Sequence, residues 1–285
     1  MLNLVALRGY VQLTRPSAPL LIAVATFIGQ AIALKGIPEP SIFVFPALAA
    51  SLTTASSFVI NDYIDVDIDR INNPGKPIPS GVIQRRSALY LGIALFLAGF
   101  LASLKTNLLA ISMLVGTYGL TVYYNLYGKK RGLLGNIIVA FCVSMAFAYG
   151  SVSAINSMDT IVFYISLLSF LMNLGREIVQ SIQDMEGDRR QGVRSVAILH
   201  GSRFAAILGS SICAATLILA PIIFLYPFRD FELLYSIIFV PEIGALFSIY
   251  TLLKMPTKEG ATRFIKQINI WTAMILLAII VIAVS

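Results

Sequence analysis

The sequence predicts an all-α integral membrane protein with nine transmembrane helices. Hydrophobic residues make up 58% of the 285-residue chain and charged residues only 12%, and the mean hydropathy of +0.84 lies well outside the usual range of soluble domains. Apolar segments long enough to cross a bilayer, about 20 residues each, recur from one end of the chain to the other. Because lipid offers the backbone no hydrogen-bond partners, such segments must be helical.

Nine apolar windows, separated by polar interruptions, define the predicted spans. They cover residues 16–34, 41–62, 86–104, 107–126, 133–154, 160–181, 203–226, 231–253 and 264–284. Polar residues mark several of the boundaries, since Arg85 and Arg86 stand at the start of the third window and a polar run follows the second. We expect residues 1–285 to form one helical bundle and a single transmembrane domain.

Glycines inside the windows indicate close packing between helices, because small residues let helix backbones approach each other in a membrane. Four glycines are interpreted in this way: Gly29, Gly99, Gly116 and Gly150.

The basic residues are distributed very unequally between the two predicted sides of the membrane. With nine helices, all but three of the 21 Lys and Arg residues fall on one side, and the exceptions are Lys35, Lys105 and Arg229. The positive-inside rule places the basic side in the cytoplasm. The net charge of +7 is therefore explained by membrane lipid headgroups and an anionic substrate, and we expect no nucleic-acid partner.

A long polar stretch, NDYIDVDIDRINNPGKPIPSG, occupies residues 61–81 directly after the second window. Asn61, Asp65 and Asp69 are spaced i, i+4 and i+8, so they share one face if the helix continues. Mg²⁺ takes oxygen ligands, often one or two protein carboxylates with phosphate oxygens completing its shell. The spacing favours a metal-bound diphosphate at this position, and the alternatives are a solvated acidic helix end or a loose calcium-binding loop.

A second acidic segment, SIQDMEGDRRQG, closes the sixth window. Asp184 and Asp188 repeat the i, i+4 spacing, and Gly187 and Gly192 predict a looser backbone beyond the helix. Two carboxylate faces packed together would repel each other unless cations lay between them. We therefore expect a diphosphate bridged to both acidic segments by Mg²⁺, with its hydrocarbon tail in the apolar interior of the bundle.

The stretch at residues 61–81 resembles the first Asp-rich signature of the UbiA prenyltransferases. That signature reads N-D-x-x-D-x-x-x-D followed by R-x-N-x-P-x-K-P-x-P-x-G. The DMEGDRRQG segment after the sixth window and the loop before Gly135 and Asn136 extend the resemblance over most of the chain. It implies a nine-helix membrane enzyme that depends on Mg²⁺, with its active site facing the cytoplasm.

The resemblance also implies roles for individual residues. The implied catalytic and metal-binding residues are Asn61, Asp65, Asp69, Asp184 and Asp188. The implied substrate contacts are Lys76, Lys129 and Arg131 for the diphosphate, Arg15 for the anionic group of the acceptor, and Tyr124 and Asn136 for lining the site. This chain departs from many family members at Ser181, where they carry a further Asp, and in a longer spacing from Tyr124 to Lys129.

The reaction implied by the resemblance is prenyl transfer, with geranylgeranyl diphosphate as the expected donor. The EGDRR sequence motif and the short chain most resemble an archaeal group of the family. The acceptor of that group is geranylgeranylglyceryl phosphate, and its product carries the second ether bond of the membrane lipid. One alternative is an aromatic or quinone precursor such as 4-hydroxybenzoate. Another, of a different class, is an ion or anion transporter, although charges in the middle of the windows are scarce.

Overall fold

The computed structural model describes residues 4–190, 192–225 and 232–284, and no β-strand occurs among them. The helices, numbered in chain order, are α1 (Leu4–Thr14), α2 (Ser17–Leu34), α3 (Pro40–Ile64), α4 (Val66–Asn72), α5 (Arg85–Ser103), α6 (Leu108–Leu126), α7 (Leu133–Ile155), α8 (Thr160–Arg190), α9 (Val196–His200), α10 (Ser202–Leu225), α11 (Glu232–Lys254) and α12 (Lys258–Val284). A short 3-10 turn, Gly128–Arg131, precedes α7.

Helices occupy all nine predicted windows within the described ranges. Seven of them are long and apolar enough to cross a membrane: α2, α3, α5, α7, α8, α10 and α12. Helices α6 and α11 coincide with the fourth and eighth windows, and the nine-span topology stays a prediction. Arg229, expected on the outer side, lies outside the described residues.

The helix that carries the second acidic segment is longer than its window. Helix α8 continues through Gly187 to Arg190, so the expected loosening of the backbone at Gly187 is wrong. An exposed ion pair from Arg190 to Glu186, at 3.0 Å and one turn apart, stabilises this last part of the helix. Gly192, with a φ of 70°, does lie beyond the helix end.

The chain divides into two compact units. The first comprises residues 1–34, 38–126 and 145–162, and the second comprises residues 35–37, 127–144 and 163–285. The first half of α7 therefore belongs to the second unit and its second half to the first.

Glycines bring helices into close contact in the first unit. A Cβ at Gly29 would collide with the carbonyl of Phe147, and one at Gly150 would collide with the carbonyl of Thr26, so α2 and α7 approach backbone to backbone. A Cβ at Gly99 would lie 2.9 Å from the Thr53 side chain. The packing predictions for these three glycines are confirmed. The prediction for Gly116 is wrong, because nothing lies within 4 Å of its added Cβ.

A small apolar core lies around the polar stretch in the first unit. It joins residues of α1, α3, α4, α5 and the segment between α4 and α5: Leu13, Val59, Val66, Ile78, Ile83 and Ala88. This core fixes the polar stretch to the helices on either side of it.

The second unit has a larger core. In it, α8 packs through Ile178 and Ile182 against α10 and α12, with Cys213 and Phe264 buried between them. This packing holds one side of α8, whereas Asp184 on the same helix is exposed.

Replacing Gly29 or Gly150 by Ala should lower the melting temperature of the detergent-purified protein. The added methyl group must push α2 and α7 apart, at a cost of roughly 1–3 kcal/mol. Gly116→Ala is the matched control, because its methyl group enters open space and alanine is preferred to glycine within a helix. Differential scanning fluorimetry measures the three melting temperatures. Equal melting temperatures for all three variants would contradict close packing of α2 against α7.

Candidate active site

The first acidic segment begins where α3 passes into α4. Asp65 is the junction residue, with a φ of −79° and a ψ of 3°. The helical hydrogen-bond pattern nevertheless continues, since the N–H of Asp65 donates to the carbonyl of Asn61 at 2.9 Å and that of Asp69 to the carbonyl of Asp65 at 2.8 Å. Asn61, Asp65 and Asp69 therefore keep the one-turn spacing that the sequence predicts.

The acids of this segment separate into a buried set and an exposed residue. Asp62, Asp65 and Asp69 are buried, with 4%, 6% and 4% of their surface exposed. Asp67 is exposed and accepts a hydrogen bond from Arg70 at 2.8 Å. The alternative of a solvated acidic helix end therefore describes Asp67 and not the other three acids.

Two cations compensate the buried carboxylates. The ammonium of Lys76 donates to Asp69 Oδ2 at 2.7 Å and to Asp62 Oδ1 at 3.0 Å. Arg15 Nη2 donates to the same Oδ1 of Asp62 at 3.0 Å, and its guanidinium lies 4.8 Å from the centre of the Phe58 ring. Lys76 and Arg15, two of the predicted substrate contacts, thus lie beside the first acidic segment.

The segment between α4 and α5 places Lys76 through its backbone and two buried side chains. The N–H of Ser80 donates to the Lys76 carbonyl at 3.0 Å, and that of Ile83 to the Pro77 carbonyl at 2.8 Å. Gly81 has a φ of 78°, which only glycine adopts without strain. Because Ile78 and Ile83 are buried in the apolar core, Lys76 is held on a folded turn.

Arg15 lies between α1 and α2 in an unusual backbone conformation. Its φ of 46° belongs to the left-handed region, which residues other than glycine and asparagine adopt at a cost. The N–H of Ala18 donates to its carbonyl at 3.0 Å, which closes the turn into α2. This turn directs the guanidinium toward Asp62.

Asn61 is oriented by a second asparagine. Its Nδ2 donates to Asn125 Oδ1 at 3.0 Å, so the carbonyl oxygen of Asn61 is the atom directed away from Asn125. Asn125 lies in α6 with 7% of its surface exposed, next to the half-buried Tyr124. The structure therefore places Tyr124 beside the partner of Asn61.

In the second unit, Asp184 is exposed on α8 and Asp188 is half-buried one turn later. Gln180 Nε2 donates to Asp184 Oδ2 at 3.4 Å. Lys129 lies within electrostatic range of both carboxylates, and Lys258 at the start of α12 lies within range of Asp184. Lys129, an implied contact of the diphosphate, thus lies near the second acidic segment in this unit.

A close backbone approach positions the turn that carries Lys129. Gly132 has a φ of 56°, and a Cβ there would collide with the carbonyl of Arg194. The N–H of Arg194 also donates to the Lys130 carbonyl at 3.5 Å. The turn is therefore packed against the segment after α8, while Arg131 at its end is exposed and Asn136, in the next turn, is half-buried.

The other polar residues of α8 have partners of their own. Arg176 donates to Glu177 at 2.7 Å, and Glu186 is paired with Arg190. Ser181 is buried and donates to the Ile178 carbonyl at 2.6 Å. Asp184 and Asp188 are therefore the acids of this segment that stand beside a lysine from another element.

The oxygen ligands of the first acidic segment suit a Mg²⁺ ion whose coordination shell is completed by phosphate oxygens. Asn61, Asp65 and Asp69 offer hard oxygen ligands, and Mg²⁺ commonly takes only one or two protein carboxylates. Within the described ranges, no three His, Cys, Asp or Glu side chains converge to hold a metal by themselves. In addition, the Nδ2 atoms of Asn125 and Asn136 are buried without a hydrogen-bond partner. Such donors suit an anionic ligand in each unit.

Sequence reasoning missed three residues that the structure brings to these segments: Asp62, Asn125 and Lys258. Asp62, Asp65 and Asp69 follow the spacing i, i+3, i+7, which also defines one helix face, so this alternative spacing could have identified Asp62. Asn125 gave only the weak signal of an amide at the end of an apolar window. Lys258 gave none, since it is one of many basic residues on its side.

The model of the UbiA prenyltransferase family matches residues 22–273, which is most of the chain. The chain belongs to the UbiA prenyltransferase family. It is therefore a prenyltransferase, and its apolar helices make it a multi-pass membrane protein.

Individual relatives are similar over almost their whole length. A digeranylgeranylglyceryl phosphate synthase of Methanosphaera stadtmanae is 31% identical over 266 residues, which cover 92% of this chain and 94% of the relative. An enzyme of the same name from Sulfolobus acidocaldarius is 33% identical, with 90% and 91% covered. This chain is thus similar over about nine tenths of its length to archaeal enzymes that share one name.

Solved structures share the fold of this UbiA member. A structure reported for digeranylgeranylglyceryl phosphate synthase in membranes aligns with a TM-score of 0.80 at 30% identity, covering 98% of this chain and 99% of that chain. A UbiA homolog from Archaeoglobus fulgidus, bound to DMAPP and Mg²⁺, aligns with a TM-score of 0.74 at 19% identity, covering 96% and 99%. The second likeness concerns the fold alone.

Replacing Lys76 by Met should destabilise the protein by roughly 1–3 kcal/mol, because Asp62 and Asp69 stay buried without their ammonium partner. Burial by itself would lower the pKa of Lys76, but its hydrogen bond to Asp69 and the charge of Asp62 raise the pKa above the ordinary value of 10.5. A raised pKa means that the stabilisation is complete below the unfolded-state pKa and is lost as the pH rises through the folded-state value.

The difference in melting temperature between the wild type and Lys76→Met should therefore be constant from about pH 6 to about pH 9 and shrink at more alkaline pH. Melting curves of both proteins across this range provide the measurement. A difference that already vanishes near neutral pH would show that the ammonium does not stabilise the buried acids.

Proposed function

We propose that this prenyltransferase transfers a geranylgeranyl group from geranylgeranyl diphosphate to geranylgeranylglyceryl phosphate, which forms the second ether bond of an archaeal membrane lipid. The observation that carries the proposal is the buried cluster of Asp62, Asp65, Asp69 and Lys76 in a member of the UbiA family. The acceptor is supported by the relatives that are named digeranylgeranylglyceryl phosphate synthase.

We assign the metal ligands to the residues that the resemblance implies: Asn61, Asp65 and Asp69 in the first unit, and Asp184 and Asp188 in the second. The Archaeoglobus fulgidus homolog of the same fold, which is bound to Mg²⁺ and DMAPP, is consistent with this assignment. These residues would hold Mg²⁺, whose positive charge would stabilise the diphosphate as a leaving group. The oxygen of the acceptor hydroxyl would form a bond to C1 as the allylic C–O bond breaks, and the hydroxyl proton would pass to the departing diphosphate.

The protein side chains bind and orient the two substrates. Lys76 and Lys129 donate to diphosphate oxygens. Lys76 is held by Asp62 and Asp69, and Lys129 lies within electrostatic range of Asp184 and Asp188. Arg131 adds a further positive charge. Arg15 binds the phosphate of the acceptor, since a guanidinium matches phosphate with two parallel hydrogen bonds. Tyr124 and Asn136 line the site.

The proposal takes residues 1–285 as one prenyltransferase domain with nine transmembrane helices and a cytoplasmic active site. Its support is the charge distribution, since all but three of the 21 basic residues fall on one side of a nine-helix topology. The apolar helices would surround the prenyl chain and keep water away from the reacting carbon.

Mass spectrometry of the products tests the substrate assignment. Purified protein is incubated with Mg²⁺ and geranylgeranyl diphosphate, and geranylgeranylglyceryl phosphate and 4-hydroxybenzoate are offered together. We expect digeranylgeranylglyceryl phosphate as the product, and no product after EDTA removes the metal. Prenylated hydroxybenzoate instead would retain the prenyl-transfer chemistry and overturn the assigned acceptor.

Asp65→Asn and Asp188→Asn should each reduce prenyl transfer by roughly a hundredfold, because a carboxylate that binds the charged metal becomes a neutral amide. Asp67→Asn is the matched control: it is the same substitution in the same segment, at an exposed side chain, and it should change the rate less than about twofold. Similar rates in all three variants, each with a wild-type melting temperature, would contradict the assignment of the metal ligands.

A further inference from the structure

Asp62 binds two cations with a single buried oxygen. Its Oδ1 accepts from Lys76 Nζ and from Arg15 Nη2, both at 3.0 Å, and 5% of its side chain is exposed. The neighbouring ion pair of Asp67 and Arg70 is exposed on both sides. Asp62 is therefore a buried carboxylate that holds the side chains of Lys76 and Arg15 together. The proposed function assigns no role to Asp62.

Lys76 is shared between two carboxylates that differ in their proposed roles. Its ammonium lies 2.7 Å from Asp69 Oδ2, and Asp69 is a proposed metal ligand. A divalent cation bound by Asp69 would stand next to this ammonium, and two positive charges at such a distance repel each other. A metal bound by Asp69 would therefore weaken the contact between Lys76 and Asp69, whereas the contact between Lys76 and Asp62 would be retained.

We propose that Asp62 is a positioning residue, which retains Lys76 at the active site while Lys76 exchanges its bond to Asp69 for a bond to the diphosphate. Without substrate, the ammonium neutralises Asp69 and competes with the metal. With the Mg²⁺ diphosphate bound, the same ammonium, still held by Asp62, donates to a diphosphate oxygen. This inference rests on the proposed function and adds a preference for metal that arrives together with diphosphate.

Because the Lys76 ammonium competes with Mg²⁺ for Asp69, Lys76→Met should change the affinities for Mg²⁺ and for diphosphate in opposite directions. Mg²⁺ alone should bind about three to ten times more tightly, because the competing ammonium is gone. Inorganic diphosphate, titrated at saturating Mg²⁺, should bind about three to ten times more weakly, because a phosphate donor is gone. Isothermal titration calorimetry of the full chain in detergent measures both affinities without any turnover.

Asp62→Asn tests the positioning role itself. In this variant Lys76 has only Asp69 as a carboxylate partner, so Mg²⁺ alone and the Mg²⁺ diphosphate should both bind about three to ten times more weakly. In the double variant with Lys76→Met, the effect of Asp62→Asn on Mg²⁺ should be several-fold smaller, since it acts through Lys76. Arg70→Met, which breaks the exposed ion pair of the same segment, should leave both affinities within about twofold of the wild type.

Three results would overturn the inference. Lys76→Met could leave the affinity for Mg²⁺ alone unchanged or lower, which would exclude competition at Asp69. Asp62→Asn could weaken Mg²⁺ binding equally with and without Lys76, which would make Asp62 a direct ligand of the metal. Asp62→Asn could also leave the affinity for diphosphate unchanged, which would show that Asp62 does not position Lys76. If Asp62→Asn does not fold, Asp62→Glu replaces it: the longer side chain displaces Lys76, and wild-type diphosphate affinity in that variant would overturn the inference.

The wild-type titrations distinguish this inference from the proposed function. A wild type that binds no diphosphate in the presence of Mg²⁺ would overturn both. A wild type that binds Mg²⁺ and diphosphate, together with variants that do not shift in the expected directions, would overturn the role of Asp62 and leave the proposed function in place.

Discussion

Three carboxylates, those of Asp62, Asp65 and Asp69, are buried within two turns of backbone in the first unit. Removing a carboxylate from water costs roughly several kcal/mol, and repulsion between neighbouring acids adds to that cost. The ammonium of Lys76, placed between Asp62 and Asp69, offsets much of this penalty. The local fold depends on this interaction, because without it the acids would have to bind protons or turn toward water.

The surrounding elements are arranged to bring that ammonium to the acids. The turn at Asp65 keeps the helical spacing while α3 gives way to α4, and the buried Ile78 and Ile83 anchor the segment that carries Lys76. The second unit uses the same principle with other residues. There, the close approach at Gly132 fixes a turn that places Lys129 near the acids of α8. In each unit a basic residue on a turn is matched to acids on a helix.

Hydropathy predicted the long helices well because lipid enforces helical structure wherever an apolar segment crosses it. The windows at residues 16–34 and 133–154 agree with α2 and α7 to within one residue at each end. The prediction failed where other interactions form the helix. The last turns of α8 are charged and are stabilised by the pair of Glu186 and Arg190, and α4 lies within a polar stretch where no apolar window exists.

Spacing also predicted that Asp65 and Asp69 share a face, but it left out Asp62 and could not predict the counter-ions of these acids. The contact between Arg15 and Asp62 joins residues 47 positions apart, and the contact of Lys76 depends on the conformation of an irregular segment. Such partners follow from tertiary structure. For the same reason, the amide of Asn125 that orients Asn61 comes from a different helix, and no local pattern indicates it.

The backbone of Arg15, with its φ of 46°, has a consequence for protein engineering. Glycine or asparagine would adopt this conformation at lower cost, so replacing Arg15 would relieve backbone strain. Such a replacement would also remove the guanidinium that lies against Asp62. The relief of backbone strain would therefore be offset by the loss of a cation beside a buried carboxylate, and thermostable variants of this enzyme should be sought with Arg15 held constant.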